Sequence, residues 1–257
     1  MEKKFEKSYT IGYFETNAQL TLEPSFLVAY LQDMAISHSD VLGYTLDYLA
    51  EQKKGWAVLN WHISIQRMPT CGETVRLWTW AEKCRRMQAQ RSFYIFDEQN
   101  EIIIRVASRW VFMDLEHRRP TSIEEGMEEK YGNSPVSAIE KETYTLPKEE
   151  ATDTFSLREF TVTRRDTDSN RHVNNIKYIE WAMDDVPDDI YETMTVDDLK
   201  VVYRKECYKD TLVLSKCCVR QLPQGGKEVI SFFMDAQDKK TIFAQIVSQW
   251  KETTNSD

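Results

Sequence analysis

The sequence predicts an α+β protein of two tandem units, each a helix followed by several antiparallel strands. Three observations carry this. A strand-like segment closing on Ser-x-Trp occurs twice, as SFYIFDEQNEIIIRVASRW at 92–110 and SFFMDAQDKKTIFAQIVSQW at 231–250. A strand-to-helix junction also occurs twice: ETNAQLTLEPSFLVAYLQD (15–33) aligns without a gap on DTDSNRHVNNIKYIEWAMD (166–184), and both 15→166 and 33→184 are offsets of 151. Finally, each helical stretch is followed by several β-branched and aromatic runs, so one helix serves a whole sheet, which must wrap it to bury its apolar side.

The elements follow in order. YTIGYF (9–14) and FTVT (160–163) alternate as entry strands. Leu27, Tyr30, Leu31, Met34 and His38 recur at helical spacing, as do Ile176, Ile179, Met183 and Val186. AVLNWHISI, TVRLWTW, RSFYIF and IIIRVASRWVFM are the candidate strands of the first sheet. Their counterparts are DLKVVY, TLVLSKCCV, EVISFFM and TIFAQIVSQW. Acid-Thr turns open one strand of each set, in CGETVRLWTW (71–80) and YKDTLVLSKC (208–217). Residues 115–155 are acidic, poor in aromatics and hold three of the seven prolines. With little of its own to bury, this stretch reads as a partly extended linker. The expected units are 1–150 and 151–257.

Composition narrows the function classes. With 41% hydrophobic and 29% charged residues the chain can bury a core, which excludes wholesale disorder. No run approaches the ~18 apolar residues that cross a bilayer, so no membrane role is expected. MEKKFEKSYTIGYFE lacks the apolar core of a secretory signal and the character of a transit peptide, which makes a cytoplasmic location the expectation. The five cysteines, odd in number and without CxxC spacing, fit reduced thiols. A net charge of −9 argues against nucleic-acid binding.

The duplication supplies an internal control for one polar cluster. In DSNRHVNNIKYIEW (168–181), Asp168, Asn170 and His172 stand where the first unit has Asn17, Gln19 and Thr21. The junction can therefore be built without them, and a helix cap needs only one such group. The excess polarity suits chemistry, although a capped junction with a satisfied histidine is the plainer reading. An imidazole, with an ordinary pKa near ~6.5, exchanges protons at physiological pH. A nearby carboxylate can orient it, and an amide can hold water or a carbonyl. Helix N-terminal N–H groups, expected around Val173 to Asn175, can meet a developing oxyanion. Together these parts suit acyl transfer or hydrolysis.

A second cluster, YRKECYKD (203–210), places Glu206 beside Cys207. On a regular strand the two point to opposite faces, so only one of them can reach a pocket. No metal or organic cofactor is called for, because the spacing of acid, amide and histidine is not that of a zinc site. His38, His62 and His117 read as structural or solvated.

These segments resemble the acyl-acyl carrier protein thioesterases, the plant enzymes and their bacterial relatives. The family signature Asp-x-Asn-x-His-Val-Asn-Asn matches Asp168, Asn170, His172, Val173, Asn174 and Asn175, and runs on into Lys177-Tyr178-Ile179 and Trp181. Tyr203 to Cys207 match a second segment, and QRMPTCGETVRLWTW (66–80) and ASRWVFMDLEHRRP (107–120) look like family segments of the first half. The resemblance covers almost the whole chain.

It implies a double hotdog fold and hydrolysis of a fatty acyl thioester on the phosphopantetheine arm of acyl carrier protein, ending fatty acid synthesis. It also implies that Asp168, Asn170, His172 and Glu206 form the polar site. The attacking group is either water activated by Glu206, the favoured reading, or the Cys207 thiol. On the favoured reading, Asn170 and His172 position substrate and water while Asp168 orients the network. The first unit would hold the acyl chain, with Leu27, Tyr30, Leu31, Met34, Trp56, Trp61, Trp78 and Trp80 lining a pocket or filling the core.

An acidic enzyme meeting an acidic carrier protein needs a local basic patch. The candidates are Lys83, Arg85, Arg86 and Arg91, or Arg118 and Arg119 with Arg164 and Arg165. A homodimer paired through exposed sheet edges stays open. The alternatives are an acyl-CoA thioesterase on the same fold, a non-catalytic acyl-binding protein and a dehydratase.

Overall fold

Apolar residues at helical spacing and a proline at the first turn set helix α1, Pro24–Val41, which buries Leu27, Val28, Leu31, Met34 and His38. The structure, a computed structural model, describes residues 4–140 and 144–252. The chain divides into two units, Met1–Glu142 and Thr143–Asp257.

In the first unit β1 (Phe5–Thr10) precedes α1, and the short helix α2 (Leu46–Glu51) follows it. Four long strands come next: β2 (Lys54–Ile65), β3 (Thr74–Arg85), β4 (Gln88–Phe96) and β5 (Ile102–Asp114). The antiparallel order is β1-β3-β4-β5-β2, with a two-residue β6 (Arg119–Pro120) paired to β5. Helix α3 (Met127–Tyr131) closes the unit.

The second unit repeats the plan. Strand β7 (Ser156–Thr161) leads into α4 (Asn175–Asp184) and α5 (Asp188–Thr193). The strands β8 (Met194–Tyr203), β9 (Leu212–Gln221), β10 (Lys227–Asp235) and β11 (Ile242–Glu252) follow. Their antiparallel order, β7-β9-β10-β11-β8, is that of the first sheet strand for strand. Each unit is a hotdog, a helix laid on an antiparallel sheet, in an α+β chain. The duplicated Ser-x-Trp also keeps its bond, since Trp110 Nε1 donates to Ser108 Oγ and Trp250 Nε1 to Ser248 Oγ, both at 2.8 Å.

Three expectations change. The entry strands end early: β1 stops at Thr10, and Tyr13–Glu15 form a 3₁₀ turn that leaves Tyr13 and Phe14 in solvent. The second helix is short, ten residues against eighteen. It stops because Asp185 turns back to accept from Arg158 and Ser215, and Pro187 then bars continuation. Val186 is buried but lies past the helix end.

The third change is the linker, which is a pair of straps rather than an idle connector. Met127 and Tyr131 of α3 pack with Tyr44, Leu49 and Phe112. Just beyond, Trp80 Nε1 donates to the Val136 carbonyl (2.8 Å) and the Ala138 amide to Ser92 Oγ (2.9 Å). In the second unit Leu146 packs with Cys218, Ile230, Phe232 and Val247, while Arg220 holds Asp153 and the Lys148 carbonyl.

The turn between β9 and β10 depends on Gly226. Its φ is +84°, and a Cβ there would lie 2.3 Å from the Trp250 carbonyl oxygen. Gly226→Ala is expected to cost ~2 kcal/mol or more, from left-handed strain plus a clash with backbone that cannot yield, read as a lower urea midpoint.

The core of the first unit holds a guanidinium. Arg91 on β4 is 6% exposed, 2.9 Å from His38 Nδ1 and 3.1 Å from Thr79 Oγ1, with the Tyr131 ring 5.6 Å away. A guanidinium only donates, so Nδ1 accepts. Burial and this adjacent cation pull the His38 pKa down to about 3. Arg91 is thus an interior group and leaves the basic patch expected to include it. Of the proposed lining residues, Leu27, Leu31, Met34, Trp61 and Trp80 are buried, but Trp80 shares a face of β3 with Trp78, under the strap and Lys4, and Trp78 also lies under Arg76.

Candidate active site

Both units turn from strand to helix through one hydrogen-bonded design. In the first, Asn17 Oδ1 accepts from the amides of Gln19 (3.1 Å) and Thr21 (3.0 Å), and Leu20 takes a φ of +57°. In the second, Asp168 Oδ1 accepts from the amides of Asn170 (2.8 Å) and His172 (3.3 Å), and Arg171 takes +64°. Such side-chain bonds to the following backbone are what Asn and Asp offer in turns. The Asn17 and Asp168 amides close the turns on the Thr21 and His172 carbonyls, both at 2.9 Å. Then the Leu22 amide binds the Pro69 carbonyl, as the Val173 amide binds that of Cys207. Thr21 bridges to Thr70, and His172 to Tyr208.

This register makes the internal control stricter than the sequence alone allowed. His172, Glu206 and Tyr208 occupy the positions of Thr21, Met68 and Thr70. One scaffold carries two hydroxyls and a thioether in one copy, and an imidazole, a carboxylate and a phenol in the other.

The three groups meet. His172 Nε2 lies 3.5 Å from Glu206 Oε2, and the Tyr208 hydroxyl donates to that same oxygen at 2.6 Å. The Tyr208 ring also stands edge-on to the imidazole, with centroids 5.0 Å apart at 87°. His172 Nε2 is shielded from solvent and has no hydrogen-bond partner among the described residues. The 3.5 Å gap is an ion-pair distance, longer than a well-formed N–H···O bond.

Asp168 acts through the backbone: its oxygen fixes the turn that presents His172, the job Asn17 does in the other copy. The Asn170 side chain is exposed at the tip of that turn. Glu206 and Cys207 both lie beyond β8, so strand alternation does not govern them. The geometry separates them all the same. The Glu206 side chain is 43% exposed and faces the imidazole, while Cys207 is 1% exposed against Tyr178 and Thr211. Burial pushes the Cys207 thiol above its ordinary range, which disfavours the thiolate a nucleophile requires.

The expected oxyanion donors are largely engaged. The Val173 amide binds the Cys207 carbonyl and the Asn174 amide that of Asp166, while the Asn174 side chain caps the helix at Ile176 N. Tyr208 is the member that sequence reasoning left without a role, though it stands inside YRKECYKD. Only the turn that bridges it to His172 reveals it.

Family models place this geometry in context. Residues 2–131 match the acyl-ACP thioesterase N-terminal domain and residues 149–252 the C-terminal domain. A palmitoyl-acyl carrier protein thioesterase of Cuphea hookeriana is 30% identical over 86% of this chain and 56% of its own length. Oleoyl-acyl carrier protein thioesterase 1 of Arabidopsis thaliana is 25% identical over 81% and 62%. The chain thus spans a little over half the length of these chloroplastic relatives.

Among solved structures, the 12:0-ACP thioesterase of Umbellularia californica aligns with a TM-score of 0.85 at 23% identity, over 97% of this chain and 94% of that one. An acyl-ACP thioesterase of Bacteroides thetaiotaomicron gives 0.83 at 21%, over 97% and 98%. These likenesses support the fold, and the two family models span nearly the whole sequence. The chain belongs to the acyl-ACP thioesterase family.

Proposed function

We propose that the chain hydrolyses fatty acyl thioesters carried on the phosphopantetheine arm of acyl carrier protein, releasing free fatty acid and ending chain growth. The observation that carries this is His172 Nε2, shielded and without a hydrogen-bond partner among the described residues, facing the oxygen of Glu206 that Tyr208 holds.

Glu206 acts as general base and takes a proton from water, whose oxygen attacks the thioester carbonyl carbon. His172 donates to the oxygen that becomes negative, and Asn170, exposed beside it in the turn, positions water or substrate. The tetrahedral intermediate collapses by breaking the C–S bond, and the proton held by Glu206 passes to the leaving sulfur. Asp168 holds the turn and orients the network through it. Tyr208 fixes the carboxylate rotamer. A thioester is already activated, so no covalent enzyme intermediate is required.

The first unit takes the acyl chain in this reading, and the second supplies the polar groups. No helix among the described residues is long and apolar enough to cross a membrane. We read the compartment as the cytoplasm because all five cysteines are free thiols. A second copy would pair along β1 or β7, each of which has a single strand neighbour in its sheet.

The test is fatty-acid release from a panel of short- to long-chain acyl carrier proteins, quantified by mass spectrometry beside matched acyl-CoAs. Release from carrier-protein substrates, lost in His172→Ala, supports the reading. Turnover of coenzyme A esters alone would replace it with an acyl-CoA thioesterase. Cys207→Ala is expected to keep kcat within about tenfold of the wild type; a fall of ~10³-fold would instead make the thiol the nucleophile.

A further inference from the structure

The geometry points to a docking surface for the acidic face of a carrier protein on the β3–β4 hairpin of the first unit. This deepens the function proposed above and rests on it.

The hairpin and β5 build one cationic row. Lys83 on β3 pairs with Gln90 on β4, and Gln90 with Arg109 on β5. One step along, Arg85 pairs with Gln88. Residues directly opposite on antiparallel strands share a face, so these side chains emerge together. Cations directly opposite one another would repel, and Gln90 of β4 stands between Lys83 and Arg109. Arg86 completes the set at the turn, where its φ is +56° and its carbonyl accepts from the Ile123 amide at 2.7 Å. That bond anchors the hairpin tip to the strap. Lys83, Arg85, Arg86, Gln88, Gln90 and Arg109 line a depression of about 420 Å³.

Among the described residues no acid lines this depression. Glu82 is adjacent in sequence, but the β3–β4 register shifts between Ala81 and Lys83. Its carboxylate accepts from the hydroxyls of Ser92 and Ser137 instead. Lys83, Arg85 and Arg86 are exposed and carry no acidic partner among the described residues.

In a chain of net charge −9, the three exposed cations Lys83, Arg85 and Arg86, with no acidic partner among the described residues, reverse the local sign. An acidic partner is repelled by the molecule as a whole and attracted here, which both steers its approach and fixes its orientation. Lys83, Arg85 and Arg86 belong to one of the patches expected from sequence, with Arg109 standing where Arg91 was expected.

The test is the triple charge reversal Lys83→Glu, Arg85→Glu and Arg86→Glu, all at exposed positions, in the full chain. Kinetics are measured on an acyl carrier protein substrate and on the matching acyl-N-acetylcysteamine thioester, which is small and neutral. Binding of holo carrier protein is followed by fluorescence anisotropy across a salt series.

The expected result is a rise in KM for the carrier-protein substrate of about tenfold or more, a weaker salt dependence of binding, and unchanged turnover of the small thioester. Equal carrier-protein binding in wild type and variant would overturn the docking surface while leaving the hydrolase reading intact. Equal losses on both substrates would overturn it as well, by showing a structural role. Wild-type turnover of the small thioester without any of the carrier-protein substrate would overturn the function proposed above, and the docking surface with it. Binding of a short DNA duplex in place of carrier protein would do the same.

Discussion

Glu206→Gln lowers kcat for acyl-carrier-protein hydrolysis by about 10²–10⁴-fold, with KM changed much less, if the carboxylate takes the proton from the attacking water. The amide keeps the size of the side chain and can still accept from Tyr208, so folding and substrate binding survive. His172→Ala falls in the same range because the imidazole is the donor assigned to the developing oxyanion. The double variant should be little worse than either single one, since the two groups act as one unit. Tyr208→Phe frees the carboxylate rotamer without removing the base and gives the smallest loss of the series. Rates are compared at saturating substrate, with circular dichroism to confirm the fold. A Glu206→Gln enzyme of near wild-type kcat would remove the carboxylate from the mechanism.

The second large effect concerns acid stability, and its source is the first unit. The His38 pKa is pulled down to about 3 by burial and by Arg91 at its Nδ1. The unfolded chain protonates this histidine near ~6.5, so between that pH and about 3 the unfolded state binds the extra proton. Stability is therefore fully present above ~6.5 and falls as pH drops, by about 1.4 kcal/mol per unit, or roughly 3 kcal/mol by pH ~4.5. Protonation in place would set two cations in contact inside the core, with no carboxylate on Arg91 among the described residues. His38→Asn puts an amide oxygen near the position of Nδ1 and removes the titration. Urea unfolding from pH ~7 to ~4.5 should show the wild type losing that much more than the variant. Parallel curves would refute the assignment.

The repeat made much of this visible in sequence. The offset that aligned Asn17 with Asp168 and Thr21 with His172 is reproduced by the hydrogen bonds of the two turns. Turn chemistry is local, so it survives in the spelling of a few residues. What stayed hidden was long-range. Tyr208 gains its role only because the chain, after leaving β8, returns to bridge His172.

Arg91 read as a surface cation because its strand gives no alternation: Arg91, Ser92 and Phe93 are all buried, both faces of the sheet being covered. The straps were missed for a related reason. Met127, Tyr131, Ala138 and Leu146 bury side chains at irregular intervals, and burial without a period leaves no helical or strand signature.

Those straps set the rules for recombining such chains. A chimaera that exchanged whole hotdog units between family members would ordinarily be cut anywhere in the acidic stretch, as if it were a tether. Here residues 115–140 roof the first sheet over Trp80 and Ser92, and residues 144–155 roof the second over Phe232 and Cys218. A cut at either side of that division strips a donor unit of its own roof and lays a foreign one over the acceptor. Each module is therefore transplanted with its strap, and the boundary between the units Met1–Glu142 and Thr143–Asp257 is the natural seam.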